Sequence, residues 1–169
     1  TDGLLSNRIS NLSVDKKDRV WAVTSAGISI VANDTVYPFQ LNTVLEKERV
    51  IAVNQLDSKT IISTESGGVF VFAESNLGFE LQKIYKKPFE GLKIRDVCVE
   101  DYKLHIAKNK GVFQFWNNEV SRVILPWEFD FSGVGVTDKG EIWLATSENG
   151  VCFYEENSQF EVNQKNSAL

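Results

Sequence analysis

The sequence predicts an all-β fold of four consecutive four-stranded antiparallel repeats, each about 40 residues long, on three observations. Two stretches far apart in the chain, "DRVWAVTSAGISIV" (18–31) and "GEIWLATSENGVCFY" (140–154), read nearly alike. Each opens on a turn, runs through an apolar residue and Trp to a Thr-Ser pair, turns at Gly and leaves on alternating apolar residues. Weaker copies lie between them, "KTIISTESGGVFVF" (59–72) and "YKLHIAKNKGVFQF" (102–115), and the marker glycines Gly27, Gly68, Gly111 and Gly150 are 41, 43 and 39 residues apart. Apolar residues alternate with period two in short runs bounded by turn residues, and no stretch carries a convincing helical period.

The elements follow in chain order. In the first copy "RISNLSV" (8–14), "RVWAVT" (19–24), "ISIVA" (28–32) and "TVYPFQL" (35–41) are strands separated by "DKKD", "SAG" and "ND". The second copy supplies "RVIAVNQ", "TIIST", "VFVFA" and "ELQKIY". The third supplies "KIRDVCVE", "KLHIA", "VFQFW" and "VSRVILP", and the fourth "FSGVGV", "EIWLAT", "VCFYE" and "QFEVNQ". The repeats run approximately over 6–41, 48–85, 92–126 and 131–164, within a single segment 1–169.

A four-stranded unit of this size cannot bury both faces of its sheet alone. Stacking units face to face around an axis solves that, and the product is a β-propeller. The marker Gly follows the turn between second and third strands, where a positive φ is cheap only for Gly. Trp21 and Trp143 occupy matching strand positions, with Ile61 and His105 in the middle copies. Large residues there fill the space between neighbouring sheets, so packing is favoured over ligand contact.

Bulk composition excludes several classes. The 169 residues are 43% hydrophobic and 24% charged, ordinary for a globular protein, and the net charge of −5 gives no general attraction to nucleic acid. No apolar run approaches the roughly 20 residues of a membrane span. The chain starts at Thr1 and contains no Met, which reads as a processed or excised piece. Cys98 and Cys152, in "IRDVCVE" and "NGVCFYE", suit buried free thiols and leave the redox compartment open.

At its start the chain, "DGLLSNRISNLSVDKKDRVWAVTSAGISIV", resembles the two-component regulator propeller repeat. Gly3, Leu4, Ser6, Asn7 and Ile9 match the opening motif of that family, and Asp15, Trp21, Thr24 and Gly27 its body. In the fourth copy Asp138, Gly140, Trp143, Thr146 and Gly150 match; the second and third copies lose Trp and the opening motif. The resemblance implies part of a larger ring, of about seven blades in that family. It also implies the periplasmic or extracellular sensor region of a bacterial hybrid two-component receptor, ahead of a histidine kinase. Related exported propellers have no kinase, so a protein–protein interaction module is the alternative. Further blades of a parent chain, or a second copy of this one, are the expected partners. An open four-blade array is expected to dimerise or aggregate through its uncovered end sheets.

Catalytic chemistry finds little support. His105 is the sole histidine and sits in a strand, which argues against a metal site and against a lyase-like propeller enzyme of the streptogramin-cleaving kind, whose His and acidic residues stand on the central face. No nucleophile elbow, phosphate loop or zinc helix occurs, and no cofactor, catalytic residue or metal ligand is expected. A binding surface is better motivated. The loops "YKKPFEGLK" (85–93), "KNK" (108–110) and "LPWEFDF" (125–131) place Lys86, Lys87, Lys108, Asn109, Lys110, Trp127 and Phe129 on the turn-bearing face. An oligosaccharide or anionic ligand suits lysines beside aromatic faces; alternatively the lysines solubilise loops while Trp127 and Phe129 plug the gap between blades.

Overall fold

A computed structural model describes residues 3–45, 48–66, 68–155 and 158–163. It contains four four-stranded antiparallel sheets, each formed by four strands consecutive in sequence and hydrogen-bonded in chain order. The first comprises β1 (Ile9–Val14), β2 (Val20–Thr24), β3 (Gly27–Ala32) and β4 (Thr35–Pro38). The second comprises β5 (Val50–Leu56), β6 (Lys59–Thr64), β7 (Val69–Ser75) and β8 (Gly78–Tyr85). The third is β9 (Ile94–Glu100), β10 (Lys103–Lys108), β11 (Gly111–Trp116) and β12 (Glu119–Val123), and the fourth β13 (Phe131–Val136), β14 (Ile142–Thr146), β15 (Val151–Glu155) and β16 (Ser158–Val162). The repeat end expected at residue 164 lies outside the described residues.

Turn chemistry sets the registers. The β3–β4 and β11–β12 hairpins close on Asn33-Asp34 and Asn117-Asn118, all four with positive φ, which is the two-residue turn whose twist matches flanking strands. Between second and third strands a hydroxyl latches the turn. Thr24 Oγ1 donates to the Gly27 carbonyl at 2.7 Å, Thr64 to Gly68 at 3.2 Å and Thr146 to Gly150 at 2.9 Å. Each of these hydroxyls also accepts a turn amide, from Ala26, Gly68 and Asn149 respectively. Gly27 stands at φ 123° with the Asn42 side chain 3.1 Å from where a Cβ would be, so both conformation and space demand Gly there.

The chain forms two compact units, Thr1–Gly91 and Leu92–Leu169. In the first, Trp21, Ile28, Ile30 and Phe39 pack against Val53, Ile62, Phe70 and Phe72 of the second sheet. Trp21 meets Phe39 and Phe79 at centroid distances of 5.5 and 5.3 Å. In the second unit Ala107 and Val112 pack against Phe131, Leu144 and Cys152. There Asp96 accepts the Val134 amide at 3.0 Å, tying the third sheet to the fourth.

An ionic staple accompanies the first core. Arg19 grips Glu74 of β7 with both terminal nitrogens, at 2.6 and 2.8 Å, and donates from Nε to Asp15 at 2.6 Å. The Trp21 indole donates to the same Asp15 oxygen at 2.8 Å. Burial works to raise the Asp15 carboxyl, but the Trp21 and Arg19 hydrogen bonds outweigh it and hold the group below its ordinary range. The hydrogen bond from Arg19 likewise lowers Glu74.

The fourth sheet corrects two expectations. Its register puts Thr137, not Asp138, where Asp15 stands: Thr137 N bonds the Glu141 carbonyl at 3.0 Å as Asp15 N bonds that of Arg19. Trp143 was expected to be packed between sheets like Trp21, yet Trp21 is fully buried and Trp143 is 37% exposed. Trp143 stacks edge-on with Phe153 and Phe160 of its own sheet, at 5.1 and 5.8 Å. The acid that holds the Trp21 indole is replaced by Thr137, whose hydroxyl bonds Glu141 at 2.8 Å.

Candidate functional site

The residues expected to form a basic and aromatic patch occupy varied settings. Lys86 and Lys87 belong to the first unit, where Lys86 is exposed and its ammonium lies 3.3 Å from Glu48 and 5.7 Å over the Phe70 ring. Lys87 is exposed and opens a short 3-10 turn, Lys87–Phe89. Asn109, Lys110, Trp127 and Phe129 belong to the second unit. Asn109 Oδ1 accepts the Lys93 amide at 3.0 Å, and Lys110 is exposed. Trp127 and Phe129 are half-buried, stacked at 6.4 Å, and pack against the core of that unit. Trp127 also borders a cavity of about 240 Å³ with Arg122 and Gly111.

Lys108 requires a correction. It was expected in an exposed loop, but it is the last residue of β10 and fully buried. Its ammonium lies 4.6 Å over the Phe113 ring, and burial followed by nearby Arg122 lowers its pKa to about 8. The physical reason is register: Lys108 pairs with Gly111 across a two-residue turn and holds the place that Thr24, Thr64 and Thr146 hold in the other sheets. Asn7 is exposed ahead of β1. Gly68 is tight for space, a Cβ there standing 2.6 Å from the Phe70 ring. Gly111 and Gly150 have positive φ, as the turn requires.

A wider concavity than that beside Trp127 lies in the first unit. A groove of about 710 Å³ runs between the residues ahead of β1, the β2–β3 turn, the 3-10 turn Asn42–Leu45 and the start of β5. Local chemistry builds its wall. Asn42 grips both the amide and the carbonyl of Ile28 at 2.8 Å, fixing the 3-10 turn against β3. Ser6 and Ser25 share a hydroxyl hydrogen bond at 2.9 Å, joining the opening motif to the β2–β3 turn. Arg8 and Arg49 both line the groove. The Arg8 carbonyl accepts the Ser25 amide at 2.9 Å and the Arg49 carbonyl accepts the Glu65 amide at 2.8 Å.

These two arginines are equivalent by repeat. The same backbone bond joins Asn109 to Lys93 and Ser147 to Asp130, so the four positions read Arg8, Arg49, Lys93 and Asp130. Sequence reading missed this series, although each residue immediately precedes the apolar start of a first strand, and Arg8 and Arg49 stand at the same distance before Gly27 and Gly68. His105, the one histidine of the sequence, is buried between Gln114 and Glu100, with Nε2 3.7 Å from the Glu100 carboxylate. Among the described residues no group of three or more His, Cys, Asp or Glu side chains could hold a metal ion.

Comparison with known proteins agrees with the fold. No family model matches the chain, and no curated protein does. Solved structures match throughout. The extracellular domain named as that of a hybrid two-component system of B. thetaiotaomicron superposes with a TM-score of 0.69 at 16% identity, over 93% of this chain and 22% of that one. PorZ, a surface component of the type-IX secretion system of Porphyromonas gingivalis, gives 0.74 at 13% identity over 99% of this chain and 30% of that one. A streptogramin B lyase gives 0.72 at 10% identity, over 94% and 56%. The chain thus spans between about a fifth and just over half the length of these structures. In fold this chain is a run of four β-propeller blades, an architecture that all three of these structures share.

Proposed function

We propose that these blades are a non-catalytic, ligand-sensing and scaffolding segment of the extracytoplasmic part of a bacterial two-component sensor, taking a carbohydrate-type ligand and contributing to a ring larger than four blades. The observation that carries this reading is the coincidence of two features. The chain shares its fold with an extracellular sensor domain, and it resembles the corresponding repeat at the residues of its first and fourth copies. Burial of His105 inside β10 supports a non-catalytic role, because a general base must reach its substrate. No described helix is long and apolar enough to cross a membrane, in keeping with a segment that works outside the bilayer. The alternative, an exported interaction module without a kinase, draws support from the likeness to PorZ and from the apolar Trp143–Phe160 face, which suits a further blade or a second copy.

Sequencing the coding region on either side tests the two readings. Further copies of the repeat followed by a membrane helix and a kinase are expected for a sensor. A signal peptide ahead of these blades and a stop codon soon after Leu169 would overturn that and leave the interaction module.

A further inference from the structure

We propose that the groove of the first unit is an oxyanion site, in which Arg8 and Arg49 receive the carboxylate of a small hydroxylated acid of the uronic-acid type. The proposal deepens the ligand-sensing reading and rests on it for its biological meaning. Its geometry is built rather than incidental. The backbones of both arginines are pinned at the same repeat position by a turn amide, immediately ahead of β1 and of β5, and both residues line the one concavity. A planar guanidinium fork matches a carboxylate with two parallel hydrogen bonds, which an ammonium cannot do.

The remaining charges leave room for an anion. Glu48 also lines the groove, but its carboxylate is engaged by the Ser66 hydroxyl and by Lys86. Arg49 holds Glu65 at 3.2 Å through one nitrogen, with its own side chain 69% exposed, a weak pair that leaves the rest of the guanidinium fork open to a ligand carboxylate. Hydroxyls then select the rest of the ligand: Ser10, Ser25 and Thr43 line the wall beside the arginines. The volume lies within the range of small-molecule sites, roughly 300–1,000 Å³. No aromatic side chain lines it, which disfavours a stacked nucleobase.

The test is a titration of the full chain, following the arginine Nε–H signals and the Ser25 and Ala26 amides by NMR. Glucuronate, glucose and sodium sulfate are the probes, taken into the millimolar range at matched ionic strength. Saturable shifts with glucuronate and none with glucose are expected. Arg8→Gln and Arg49→Gln should each weaken binding about tenfold or more, with unchanged melting temperatures. No saturation by glucuronate, affinity indifferent to both substitutions, or tighter binding of sulfate than of glucuronate would each overturn the assignment. These outcomes concern the groove alone, whereas the sensor reading stands or falls on the flanking coding sequence.

Discussion

Trp21 and Trp143 stand at one register in two sheets, and their surroundings give them different weights. Trp21 is enclosed by Phe39, Phe79 and the Asp15 carboxylate, so Trp21→Ala should cost about 3–5 kcal/mol by chemical denaturation, and Trp143→Ala clearly less. Arg19→Met leaves Asp15 and Glu74 without their shared cation, with an expected loss of about 3 kcal/mol measured the same way. His105 sets a pH dependence. Desolvation, aided by Lys103, lowers its pKa to about 4, against an ordinary value of 6.5. Between those values the unfolded chain binds a proton that the folded one refuses. Stability is therefore full above the unfolded value and falls as the pH is lowered from about 6.5 toward 4, by roughly 1–3 kcal/mol. Melting curves at neutral and mildly acidic pH should show this, and His105→Phe should flatten it. Burial, with Glu161 nearby, raises the Cys152 thiol to about 11, so in the folded protein an alkylating reagent should label half-buried Cys98 well before it.

At the scale of the sheet, the second-to-third-strand turn is the recurrent device. Thr24→Val or Thr146→Val removes a hydroxyl that both donates to and accepts from its turn, and about 1 kcal/mol of stability should go with it in urea titrations. The strands themselves were legible because period-two alternation, Asn-Asp and Asn-Asn turns and the marker glycines are all local signals. What was not legible depends on partners distant in sequence. Lys108 reads as a loop lysine until its pairing with Gly111 places it in the latch position and buries it over Phe113. Asp138 reads as the partner of Asp15 until the backbone bonds assign that place to Thr137. The lysine patch is read from loop composition, while the groove arises where Arg8 and Arg49, 41 residues apart, line one concavity with the 3-10 turn.

For the whole molecule, the repeat has one apolar consequence at its fourth sheet. The fourth sheet presents Trp143 and Phe160, 37% and 43% exposed, at the register where the first sheet's Trp21 is covered by Phe79 of the next sheet. Concentration-dependent self-association is expected from this face, and Phe160→Glu should reduce it in light scattering. A monomer at high concentration would contradict the expectation.

The Arg19–Glu74 staple also has a consequence for synthesis. Its two halves are 55 residues apart, and one of the two rings that cover Trp21, Phe79, comes still later in the chain. A nascent chain extruded only as far as β6 therefore has Asp15, Arg19 and Phe39 in hand, but neither Glu74 to finish the staple nor Phe79 to finish the cover of Trp21. Completion of the first blade thus waits on the last two strands of the second, and a pause before residue 74 would prolong the partial exposure of Trp21 to chaperones.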